Sequence, residues 1–470
     1  MEANVIDKNN VQGDIWPGIP KSHQILFFFN ITNKDKFRAH LKNAVDMITT
    51  SEDAIQMRGR IRQHKIEVAK GNEEPSLLSA QGVNLSFTSK GLAQLGKHDL
   101  KAGQFDVGMK DDLRGGVAGG EGRDNLDDWE ERFKNEKNDP SKVIHGVFSI
   151  GAQNSYAAHY LLGKVKGHFL GFFSSSIREV FTIEGSVRPG SLRGKEHFGF
   201  EDEISQPQLD GLDPKPEGDK EPKLVPPGII INNAKGAPTP QPDWATEGSF
   251  FVFRKLQQYV PEFQNWLDHT APQHHLTSDQ LSARLVGRWK SGTPVCLAPL
   301  EDNPELKRSN NFDFKPVDNQ HACPFAAHIR KVRPRADISN PDKSCIMRRS
   351  MTYGPELTDL ERKTKTTTAD RGLLFMCFQS NIGNGFRLIQ EKWSNQDNFP
   401  RRKEKVTGEP GPGADAICGQ PNPPDNFAIS ICDGQDPPHD VRLKLDSWVT
   451  PRGGEYFFTP SIKALKGFSA

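Results

Sequence analysis

A chain of 470 residues can bury a substantial core, and 61 Lys plus Arg against 60 Asp plus Glu leave a formal charge of +1, so no basic excess points to nucleic acid or a membrane surface. No apolar run nears the roughly 20 residues of a membrane span, and the opening MEANVIDKNNVQGD lacks the apolar core of a secretory leader. Six cysteines (Cys296, Cys323, Cys345, Cys377, Cys418 and Cys432) without a C-x-x-C pair give no support to a disulfide scaffold, a zinc ribbon or a thioredoxin-like centre, and are expected to be mostly buried thiols.

In chain order, residues 25–31 (ILFFFNI) are a continuous apolar, aromatic run, followed by apolar positions at helical spacing over 36–45, which reads as strand then helix. Strands are expected at 83–87, 143–150 and 179–185, with helices at 91–95 and 152–162. The glycine-rich RGGVAGGEGR at 114–123 lacks the lysine and spacing of a phosphate loop and reads as a surface loop. Residues 206–242, rich in proline and charge, read as a linker lying over the surface. The opening pattern then recurs, with an apolar run over 248–256 leading into Tyr259, Phe263, Trp266 and Leu267. Residues 372–382 are long and apolar enough for a central strand and 426–432 for a shorter one; both are expected in a second sheet. The RRKEKVTGEPGPG stretch at 401–413 reads as solvated loop. Mixed elements without strict alternation indicate an α+β fold built on antiparallel sheet covered on one face. Two glycosylation sequons are present, at Asn30 and Asn84, the first inside an expected strand.

The chemistry-bearing stretch is 319–335, NQHACPFAAHIRKVRPR, with His328 in an apolar run. One imidazole among dry walls is what haem iron requires of a protein. An isolated histidine of this kind is more commonly structural, so its company decides. Upstream stands GFEDEISQP (199–207) and downstream IMRRSMTYG (346–354); VQGDI (11–15), ARLVGRW (283–289) and RGLLFMCFQSNI (371–382) complete the set. In this order and spacing the segments resemble the dye-decolourising (DyP-type) haem peroxidases, most closely the fungal branch. The resemblance implies two ferredoxin-like domains, each an antiparallel sheet with peripheral helices. Residues 1–205 would carry a distal aspartate, 206–242 the linker, and 243–470 most of the haem pocket, with one haem b per chain.

The resemblance also assigns roles. His328 would ligate iron, with Asp415 accepting from its other ring nitrogen; a turn residue is the competing reading of Asp415. Asp202 would move the peroxide proton, and Arg348, chosen over its neighbour Arg349 from the family register, would stabilise the charge that develops. Leu373 and Phe375 would line the distal side, and Arg330 and Arg335 are candidates for the haem propionates. Trp393 and Tyr353 are considered as surface relays for substrates too large to reach the haem, although ordinary buried aromatics explain them equally well. One departure stands out: where the family has glycine, this chain has Glu203. Its bulk and charge either turn outward or alter the peroxide step, and an ionised Glu203 would raise the pKa of Asp202. The expected activity is oxidation of dyes and phenolic or lignin-derived aromatics by hydrogen peroxide through a ferryl intermediate. The alternatives are a haem-binding or haem-transfer protein of the same fold and a haem-free interaction protein. A monomer or weak homodimer with no nucleic-acid or membrane partner is expected, extracellular or alternatively cytosolic.

Overall fold

The computed structural model describes residues 5–113, 124–135, 138–171, 174–215, 223–408, 411–420 and 427–469; the glycine-rich 114–123 lies outside them. Strand β1 (His23–Ile31) is buried along nearly its whole length, and its sequence shows no alternation because both faces are covered. On one face Phe29 stacks on Phe37 of helix α1 (Lys34–Ala44) at 5.9 Å. On the other, Phe28 meets Phe253 and Phe457 from the second half of the chain at 5.4 and 6.1 Å. Helix α2 (Ser51–Ala69) follows, opened by a capping box between Thr50 and Asp53. No apolar stripe announced it, since only Ser51 and Ala54 of its 19 residues are buried. Strands β2 (Gln81–Phe87) and β3 (Gly146–Ala152), helix α3 (Ser155–Phe169) and strand β4 (Ile177–Ser186) complete a β-α-β-β-α-β unit with antiparallel strand order β2-β3-β1-β4.

The second half repeats this plan. Strand β5 (Ser249–Gln258) leads into helices α4 (Val260–Thr270), α5 (Ser278–Val286) and the short α6 (His328–Val332). Strands β6 (Met347–Arg348) and β7 (Met351–Tyr353) both pair with β8 (Gly372–Gln379). A hairpin of β9 (Ala428–Cys432) and β10 (Asp440–Lys444) precedes the last strand, β11 (Val449–Thr459), which lies on the far side of β5. With β6 and β7 taken as one broken strand, spatial order is again second, third, first, fourth: the ferredoxin-like order occurs twice. The two sheets meet where Phe458 pairs with Phe87. At the opposite edges the Thr352 hydroxyl donates to the Ser186 carbonyl at 2.5 Å, so the strands wrap around a shared phenylalanine-rich core.

Three expectations are corrected. The 428–432 strand stands outside the second sheet, in its own hairpin. The missing sheet strand is β11, whose VTPRGGEYFFT pattern is broken by Pro451, Gly453 and Gly454; a register shift between Pro451 and Gly453 absorbs the break. Among its described residues the proline-rich segment is not confined to the surface: Leu209, Val225, Ile230 and Ile231 are buried in the main core. In the 401–413 stretch Arg401 and Arg402 are solvated as expected, but Lys403 is buried, with Nζ 3.3 Å from Asp337. All six cysteines are free thiols, four of them buried. Both sequon asparagines are buried, Asn84 donating to Gln12 at 2.8 Å and Asn30 to the Val143 carbonyl at 2.8 Å. Among the described residues no helix is long and apolar enough to cross a membrane.

Candidate active site

A cavity opens between the second half and a loop that arrives from the first. Its floor is set by α6. Phe325, Ala326 and Ala327 are buried and anchor the start of the helix, so that its first residue, His328, faces the cavity. His328 Nδ1 lies 2.8 Å from Asp415 Oδ2, and Cys418 Sγ is 3.7 Å from the same nitrogen. Asp415 is fully buried, and its Oδ1 accepts from the backbone N–H groups of Ile417 and Cys418 at 2.8 and 3.0 Å. An ionised carboxylate only accepts, so Nδ1 carries the hydrogen, and in the neutral ring that a metal would bind Nε2 is a lone pair. Nε2 has no hydrogen-bond partner among the described residues. Burial alone would lower the proton affinity of His328, but the Asp415 carboxylate overrides it and holds the imidazole well above its ordinary value. The same push strengthens Nε2 as a metal donor.

Across the cavity stands the second pair. Asp202 Oδ1 accepts from Arg348 Nη1 at 2.5 Å and from the Glu203 N–H at 2.6 Å, while its own N–H donates to the Gly194 carbonyl at 2.9 Å. Its Oδ2 has no partner among the described residues. Burial pushes the carboxyl up, yet the Arg348 cation prevails and holds it below the usual carboxylate range. Arg348 is fixed in turn. Its N–H and carbonyl exchange hydrogen bonds with the Gln206 side-chain amide, both at 3.0 Å, and Nη2 donates to the Ser205 carbonyl at 3.3 Å. Arg349 points elsewhere, donating to the carbonyls of Asp14 and Ile15; this accounts for the VQGDI stretch as a structural contact.

Leu373 and Phe375 alternate on β8 as its partly exposed positions, and both line the cavity. Arg335 lines the cavity together with Arg333 and the buried Arg288. Burial first, and then the neighbouring Arg335 cation, push Arg288 down to about 10, so this side of the cavity is rich in positive charge. Arg330 does not join it. It is 1% exposed, pairs bidentately with Asp337 at 2.7 and 2.9 Å and donates to the Cys323 carbonyl, so it braces the loop instead of facing the cavity. The proposed surface relays are also displaced: Trp393 is buried and stacked on Phe399 at 5.3 Å, and Tyr353 is buried with its hydroxyl donating to Asp370 at 2.8 Å. The strongly exposed tyrosines are Tyr156 and Tyr160 on α3.

Residues 10–189 match the family described as DyP dimeric alpha+beta barrel domain, and residues 230–409 match Dyp-type peroxidase, C-terminal. The dye-decolorizing peroxidase msp1 of Mycetinis scorodonius is 34% identical over 491 residues, covering 98% of this chain and 87% of that protein. The chain belongs to the dye-decolorizing peroxidase family. Its backbone resembles that of an ancestral D-type dye-decolorizing peroxidase with a TM-score of 0.87 at 41% identity, covering 99% of each chain. A dye-decolorizing peroxidase solved with 2,6-dimethoxyphenol gives 0.82 at 36% identity, over 99% of this chain and 100% of that one. The expected α+β fold and peroxidase class hold, and the enzyme is haem-dependent.

The residues present fit that cofactor. One imidazole offers an unshared nitrogen to the cavity, the arginine-lined side suits carboxylates, and buried Arg254, which also lines the cavity, has an Nε without a hydrogen-bond partner among the described residues. Glu203 resolves as an outward-turned side chain. Its backbone has φ +59°, the left-handed conformation that glycine adopts without cost, and the side chain is exposed. Asp202 is held below the usual carboxylate range all the same, the Arg348 cation and the Glu203 N–H both holding it down. Sequence reasoning passed over Glu196, a half-buried carboxylate at the cavity wall that accepts from the N–H groups of Phe198 and Phe200, both at 2.9 Å. Burial raises its pKa. Nothing in KEHFG distinguished it from a loop acid.

Proposed function

We propose that this enzyme uses hydrogen peroxide to oxidise dyes and phenolic aromatics, with haem b held by His328 and with Asp202 and Arg348 handling the peroxide. The observation that carries the reading is the free Oδ2 of Asp202 beside a guanidinium. When bound, the haem supplies one-electron oxidising power. Around it, Asp415 keeps the Nδ1 hydrogen in place so that Nε2 of His328 remains a donor. Leu373, Phe375 and the other apolar walls exclude water, which strengthens every charge interaction inside.

Asp202 is ionised through the mildly acidic range, so Oδ2 can take a proton from one peroxide oxygen and return it to the other as water leaves. Arg348 cannot deprotonate and places its cation where negative charge builds. Arg335, Arg288 and Arg333 are positioned for the propionates. The phenolic substrate class is supported by the related peroxidase solved with 2,6-dimethoxyphenol. The test is peroxide-dependent oxidation of that phenol and of an anthraquinone dye by haem-loaded wild type and His328→Ala. Turnover in the wild type and a haem-free, inactive variant are expected; a wild type that binds haem without turnover would replace the reading with haem binding alone.

A further inference from the structure

Outside the cavity, two clusters of metal-ligating side chains among the described residues are unused by the reaction, and one of them is built on the first sheet. β1 and β4 are antiparallel with Ile25 opposite Glu184, so His23, two residues along, is a diagonal neighbour of Glu184 on the same sheet face. Helix α3 crosses that face and brings His159. His23 Nε2 lies 3.0 Å from Glu184 Oε2 and His159 Nε2 lies 3.2 Å from Glu184 Oε1. The two rings have their centroids 6.1 Å apart, and the ligand atoms all lie within 4.8 Å of one another.

The far side of one ring supplies an independent argument. His159 Nδ1 sits 3.0 Å from the Ser155 carbonyl, one helical turn back. A carbonyl only accepts and the Ser155 hydroxyl, 3.3 Å from the same nitrogen, can accept as well, so Nδ1 holds the hydrogen, and Nε2 of the neutral ring is a lone pair aimed at a carboxylate oxygen that also only accepts. Such a contact closes with a proton or with a cation, and a cation serves both histidines at once. Pinning the distal ring nitrogen to a carbonyl is how metal-binding imidazoles are oriented.

We propose that His23, His159 and Glu184 bind one divalent transition-metal ion of the zinc class. Zinc takes imidazole and carboxylate donors at about 2.0–2.2 Å, and tetrahedral geometry then separates them by roughly 3.4 Å, close to the spacings already present. The half-exposed His159 and Glu184 leave a fourth position to water, and the ion ties α3 to two strands of the first sheet. Any proton shared by carboxylate and imidazole is released to solvent on binding.

The test is calorimetric titration of Zn2+ into chelator-treated, haem-loaded enzyme, in which the haem occupies His328. One Zn2+ per chain is expected. His159→Ala, His23→Ala and Glu184→Gln should each weaken binding by at least about tenfold, with dye oxidation unchanged in His159→Ala. His321→Ala, which breaks the cluster with Cys432 and Asp440, should leave binding intact. Absence of binding in the wild type, wild-type binding in the His23→Ala/His159→Ala double variant, or loss in His321→Ala would each overturn the assignment.

Discussion

Two aspartates serve one cavity, Asp202 lining it and Asp415 sealed behind His328, and the difference between them separates two kinds of carboxylate. Asp415 is sealed: Oδ2 meets His328, Oδ1 meets two backbone N–H groups, and the side chain is 0% exposed. Asp202 is anchored through Oδ1 alone, by Arg348 and the Glu203 N–H, and its side chain is 23% exposed. In both, burial pushes the pKa up and the groups bonded to the carboxylate outweigh it, His328 first for Asp415 and the Arg348 cation first for Asp202, so both carboxyls sit below the usual range. A carboxylate with both oxygens occupied can only orient its partner. One with a free oxygen can exchange a proton.

That contrast predicts unequal damage from equal chemistry. Asp202→Asn should slow the reaction with peroxide by about 10²–10⁴-fold, the range for a lost acid–base group, at unchanged haem content. Asp415→Asn should lower haem affinity by about 10–100-fold, as removal of a ligand's orienting partner does, and its damage should be seen first in haem retention during dialysis. Arg348→Leu sharpens the comparison by pH. Without the cation the Asp202 carboxyl rises toward and above its ordinary value, so proton abstraction is lost earlier on acidification; the acid limb of the peroxide rate profile should move to higher pH. Glu203→Gly is the smallest change. Relief of a left-handed glutamate, set against the looser unfolded chain of glycine, should stabilise the protein by about 0.5–1 kcal/mol, measurable as a small rise in the urea midpoint.

The placement of the candidate site was legible through the collinear segments that carry the family resemblance. His328, Asp202, Arg348 and Asp415 stand in short segments whose order is readable, and β8 displays Leu373 and Phe375 by simple alternation. Arg330 was misread because an arginine two residues beyond a ligand looks available until Asp337, seven residues further on, is seen to fold back on it. Trp393 and Tyr353 stood between surface relay and buried aromatic because sequence does not report burial, and both are buried. The fold was legible in its repeated strand–helix openings. It was illegible at α2, whose polar sequence carries no stripe, at β11, whose proline and glycines break the alternation, and in 206–242, where scattered apolar residues among prolines are collected into the core only by the tertiary structure.

The most direct test of the division between the two aspartates is rapid-mixing absorption of haem-loaded Asp202→Asn and Asp415→Asn with hydrogen peroxide, at matched haem concentration. A rate constant at least about 10²-fold below wild type in Asp202→Asn, with Asp415→Asn much nearer wild type per bound haem, is the predicted result. Equal rates for Asp202→Asn and wild type would contradict it, because the free oxygen of Asp202 would then carry no proton for the reaction.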